Sequence, residues 1–109
     1  MSSIPKGFWD IESVIINQRT VLNDDSIRCL EIHDDEWVIQ PARQRFRVRQ
    51  TSTKSNGLMS AVLESKGKVY FADFKVNGSN LVLTMSRPNV KEVVTFECVA
   101  ITADVFSRV

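Results

Sequence analysis

Four arginines alternate through one short segment, Arg43-Gln44-Arg45-Phe46-Arg47-Val48-Arg49. Successive side chains of an extended strand point to opposite faces, so this spacing predicts all four arginines on one face and Phe46 with Val48 on the other. A guanidinium is a planar fork of donors that matches carboxylate and phosphate groups, and a row of them can track a nucleic-acid backbone. The competing reading is a charged outer wall, either paired with acidic neighbours or guarding a sheet edge against aggregation. Glu64, Asp73 and Glu97 lie on candidate strands and fit the role of partners. An inward-facing clamp is the least favoured arrangement, because unpaired buried charge is very costly.

Other chemistry-bearing residues are sparse. The one histidine, His33, precedes Asp34, Asp35 and Glu36. An imidazole beside carboxylates could serve as a general base, but no serine or cysteine is tied to it by a recognised motif, and a solvated turn histidine is expected. The acidic run lacks the ligand spacing and the glycine of an EF-hand loop, so it too reads as a solvated turn. Cys29 and Cys98 stand far apart and form no Cys-x-x-Cys pattern. In a reducing compartment they are expected to be free thiols within strands; the alternative is a bridge from an early strand to the last. No glycine-rich phosphate loop, Gly-x-Ser-x-Gly elbow or His-Glu-x-x-His helix occurs. The expectation is a protein that is not an enzyme, with no catalytic residue, no metal site and no cofactor.

The elements that must position these residues are strands. Residues 7–16 form the first candidate, with Trp9, Ile11 and Ile15 on one face and Phe8, Val14 and Ile16 on the other. Further candidates cover 26–33, a strand from 37 ended or kept at an edge by Pro41, then 44–51, 58–64, 69–76, 81–85 and 93–101. Asn17-Gln18-Arg19 reads as a turn, 23–26 as a loop, and 51–57 as the most loop-like segment. Asn77-Gly78 predicts a type I′ hairpin turn with positive φ at both central residues, although the spacing through Asn80 also permits a four-residue loop. Helices compete at 25–32 and 58–64, and a short helix near 20–26 would leave the class unchanged. Short, regularly spaced strands indicate an antiparallel sandwich or barrel.

At 109 residues, with 43% hydrophobic and 25% charged residues, the chain fits one domain spanning 1–109. Such a domain can bury a core without metal or disulfide help. A net charge of +1 provides no global field to recruit nucleic acid or an anionic membrane, so nucleic acid is not an expected partner. No apolar run approaches the ~18 residues of a membrane span, and no membrane insertion is expected. Met1 to Lys6 has no apolar core of a signal peptide, so the default location is the cytoplasm.

The opening Gly7-Phe8-Trp9 resembles the start of lipocalin-like (calycin) barrels. The run Phe74-Lys75-Val76-Asn77-Gly78-Ser79-Asn80-Leu81-Val82-Leu83 is similar to an aromatic-x-x-Asp/Asn-Gly-x-x-Leu-x-Leu hairpin. That hairpin recurs in small, uncharacterised lipocalin-like domains abundant in planctomycete bacteria. Arg87-Pro88 ahead of Thr95-Phe96 resembles the last hairpin of the same group, with a longer insertion here. The resemblance covers residues 4 to 100 and implies an all-β, antiparallel up-and-down barrel of about eight short strands. It implies no established activity and no catalytic residue, and it makes Trp9 the residue that closes one barrel end.

Two functional expectations follow. In the first, the barrel binds a small apolar or amphipathic ligand through the inward residues Ile11, Leu30, Val38, Phe74, Leu81, Leu83 and Phe96. In the second, the interior is solid and Arg43, Arg45, Arg47 and Arg49 bind an anion or a protein partner. Trp9, Trp37, Phe46, Phe71, Phe74 and Phe96 could line a cavity, but packing the core is the favoured role for most of them.

Overall fold

The computed structural model describes residues 5–21, 27–54 and 57–101. Nine strands run in chain order: β1 Gly7–Ile16, β2 Arg19–Val21, β3 Ile27–Ile32, β4 Glu36–Pro41, β5 Gln44–Thr53, β6 Met59–Ser65, β7 Lys68–Asn77, β8 Asn80–Ser86 and β9 Val93–Ala100. All neighbours are antiparallel, from β1 through β3 to β9, and β9 pairs back onto β1. Eight strands therefore close an up-and-down barrel, and closure leaves them no free edge. The extra strand, β2, pairs with the second half of β1, beside the stretch that pairs with β3. The strands at 27–32 and 59–65 replace the helices that competed there. The proposed helix near 20–26 lies mostly outside the described residues, and β2 occupies its start.

Alternation along each strand puts apolar residues inside. In β6, Met59, Ala61 and Leu63 are buried, and in β8, Leu81, Leu83 and Met85 are. Three β-bulges interrupt strict alternation, and the one in β3 falls at Arg28, between Ile27 and Cys29. The register of β1 against β9 slips between Ile11 and Ser13. Trp9 and Ile11 are therefore followed on the inner side by Val14 and Ile16, while Ile15 turns outward and pairs with Thr20 and Thr95. The register of β5 against β6 slips between Val48 and Gln50, which makes Arg49 the bulged residue.

The turns follow the sequence chemistry with one exchange. Lys66 and Gly67 have φ of 52° and 78°, and Asn17 and Gln18 have φ of 50° and 70°, so both pairs adopt the positive angles of a type I′ hairpin. At the hairpin expected to be type I′, Asn77 instead pairs with Asn80 at the strand ends. Its central residues are Gly78 and Ser79, with positive φ at Gly78 (62°) only, the type II′ pattern. In the loop after β8, the Val90 N–H donates to the Arg87 carbonyl at 3.3 Å, and Asn89 has φ of 65°. With Pro88 before it, this is a type II turn.

The alternating strand directions place four connections at one end, here called the upper: 16–19, 41–44, 65–68 and 86–93. Gly7, the 32–36 turn, the connection from β5 to β6 and the 77–80 turn lie at the lower end. Among the described residues no helix is long and apolar enough to cross a membrane.

Candidate ligand-binding site

The two halves of the barrel interior differ. The lower half is packed with side chains. Trp9, Leu30, Ile32, Trp37, Phe74, Leu81 and Leu83 are each no more than 6% exposed there. The Trp9 indole N–H donates to the Pro5 carbonyl at 3.0 Å, which ties the incoming chain to the barrel end. Trp9 thus lies buried inside the barrel near the start of β1. Trp37 Nε1 is buried without a hydrogen-bond partner among the described residues.

The upper half holds a cavity of about 390 Å³. This lies near the lower limit of small-molecule pockets, roughly 300–1,000 Å³. Val14, Ile39, Phe46, Met85 and Phe96 form its apolar wall, and Gln44, Ser86, Arg87 and Glu92 stand at its rim. The positions follow from the strands. Val14 faces inward because of the β1 bulge, Ile39 and Phe46 flank the β4–β5 turn, and Met85 ends the inward row of β8. Phe46 meets Tyr70 edge to face, with centroids 5.2 Å apart. The Arg87 guanidinium carbon lies 5.5 Å from the centre of the same Tyr70 ring, a cation–π distance.

Of the seven residues expected to contact a ligand, only Phe96 lines this cavity. Ile11, Leu30, Phe74, Leu81 and Leu83 face inward, as expected, but fill the core below it. Val38 is a correction. It lies on the outer side, paired with Glu31 and Arg45, while its neighbours Trp37 and Ile39 point in. It is nonetheless only 6% exposed. Phe71 is likewise outward and 45% exposed, so it neither packs the core nor lines a cavity. The missed wall residues, Val14, Ile39 and Met85, sit near the upper ends of their strands. The sequence signal that could have found them is strand direction combined with the turns.

The arginine segment is not a row of four. Arg43 lies in the β4–β5 turn with φ of 56°, Arg45 and Arg47 face outward, and Arg49 occupies the bulge. Arg49 binds Glu64 at 2.9 Å, and Arg45 stands 3.6 Å from Glu36. Arg47 is placed by register between the same two glutamates. Glu64 is thus a partner, as expected, whereas Asp73 pairs with Lys54 and Ser60, and Glu97 with Ser13. His33 is exposed and 3.4 Å from Glu31, and Asp34 pairs with Lys6 at 3.5 Å. Cys29 and Cys98 are free. Burial pushes the Cys98 thiol up to about 12, with Asp10 adding to the effect.

The chain matches no protein-family model, and neither a curated protein nor a solved structure matches it significantly. The closed antiparallel barrel is consistent with a calycin-like fold, but nothing in these comparisons ties the chain to the planctomycete lipocalin-like family.

Proposed function

We propose that this protein is a binding module for a small apolar or amphipathic molecule held in the upper half of the barrel. The observation that carries the reading is the 390 Å³ cavity with its apolar wall and polar rim. Apolar walls supply most of the driving force, at about 25 cal/mol per Å² removed from water, and a few rim groups set orientation. The lipocalin-like resemblance of Gly7-Phe8-Trp9 agrees with this reading. The protein binds rather than catalyses, and its partner is the ligand. The rival use of the outer arginine face receives less support, since Arg45 and Arg49 already have carboxylate partners.

The test is a titration with the neutral fluorescent probe 1-aminonaphthalene, which is small enough for the cavity. Saturable binding is expected, weakened about tenfold or more by Val94→Phe, which adds bulk at a half-buried wall position. Absence of saturable binding to the native protein would sink the proposal.

A further inference from the structure

The cavity rim carries a charge asymmetry that the net charge of +1 conceals. The upper connections and the strand ends beside them place six cations there: Arg19, Arg43, Lys66, Lys68, Arg87 and Lys91. Among the described residues of those connections, Glu92 is the one carboxylate. At the lower end Asp34, Asp35 and Glu36 share one turn, offset among the described residues by Lys6 and Lys54.

Arg87 differs from the other five. It is half-buried, follows directly on β8, and is the first residue of the type II turn made by Pro88 and Asn89. Its guanidinium lies against Tyr70, and no carboxylate of the described residues lies within 4.0 Å of it. Glu92 borders the same rim but is exposed to water and forms no ion pair with Arg87. A partly desolvated cation at the mouth of an apolar cavity attracts an anion more strongly than a solvated one does. The planar fork also fits a carboxylate or a phosphate.

Resting on the binding role proposed above, we infer that the ligand is a single-chain anionic amphiphile, its tail against Phe46, Phe96 and Met85 and its head group on Arg87. The volume sets its size. At about 30 Å³ per water-sized atom, 390 Å³ holds roughly 13 non-hydrogen atoms. A saturated chain of about ten carbons with one carboxylate fits that space. The surrounding basic rim raises the local concentration of such an anion.

The test displaces 1-aminonaphthalene with decanoate, decyl phosphate and decan-1-ol, which share a tail and differ in the head. Both anions are expected to displace the probe at about tenfold lower concentration than the alcohol. Arg87→Gln is expected to bring the anions and the alcohol within about twofold of one another. Added salt weakens the anions only, and this readout on the native chain does not depend on how the variant folds. If the alcohol matches the anions, or if the preference survives either Arg87→Gln or added salt, the inference is overturned while the binding role stands. If neither the probe nor any of the three compounds binds saturably, the binding role fails as well.

Discussion

Trp37 meets Phe74 edge to face in the filled half of the barrel, with ring centroids 5.3 Å apart and planes at 81°. Trp37 is also the cross-strand neighbour of Phe46, which walls the cavity. The pair therefore belongs to the layer on which the cavity rests. Phe74→Ala is expected to cost about 3–5 kcal/mol, as for other large truncations in a packed core. Phe71→Ala, on the exposed outer side, is expected to fall within about 0.5 kcal/mol. Urea unfolding of the two variants checks this; similar losses would mean that the inner and outer faces of β7 are misassigned.

The 77–80 hairpin is expected to depend on Gly78 rather than on Asn77. Gly78→Ala meets no neighbouring atom but must hold a φ of 62°, at a cost of roughly 1–2 kcal/mol. Asn77→Ala, at a strand end, is expected within about 0.5 kcal/mol. A type I′ turn centred on Asn77 and Gly78 would make both substitutions costly, and denaturant midpoints separate the two cases.

Cys98 links stability to alkaline pH. Its thiol is pushed from 9.0 up to about 12 in the folded barrel, chiefly by burial. A group whose folded pKa is raised contributes stability that is fully present below its unfolded pKa and lost as pH climbs through the folded one. The loss attributable to Cys98 therefore runs from about pH 9 towards about pH 12. Between about pH 8 and about pH 10.5, the urea midpoint of the native chain should fall more steeply than that of Cys98→Ala. Parallel slopes would refute the linkage.

The outer arginines are expected to add little to stability. Arg49 and Glu64 are 55% and 34% exposed. A double-mutant cycle with Arg49→Gln and Glu64→Gln should give a coupling of about 0.2–1 kcal/mol, shrinking in high salt. A coupling well above that range would give the pair a structural role beyond that of a solvated wall.

The strand pattern made the barrel legible, because alternation and turn chemistry agreed in most segments. A strand opening at Gly7, strands over the runs at 58–64 and 81–85, and a turn at Asn17 are legible in the sequence and present in the fold. Two local departures hid the site. The bulge in β1 carries no glycine or proline to mark it, so strict alternation puts Ile15 with Trp9 and Ile11 although Val14 takes that side. In β4, three consecutive apolar residues, Trp37, Val38 and Ile39, leave the face undecided, since only cross-strand register tells which one turns outward. The choice of cavity residues failed for a different reason. Inward direction was correct for Ile11, Leu30, Phe74, Leu81 and Leu83, but depth along the barrel axis is set by the joint register of eight strands, which no single strand encodes.

The most direct measurement is a two-dimensional NMR titration of the isotope-labelled protein with decan-1-ol, which depends on the cavity and not on the charge at its rim. The binding role predicts saturable shifts clustered at Val14, Ile39, Phe46, Tyr70, Met85 and Val94, with Leu30, Leu81 and Leu83 little changed. No saturable shift, or shifts centred on the outer faces of β4 and β5 around Arg45 and Arg47, would contradict it.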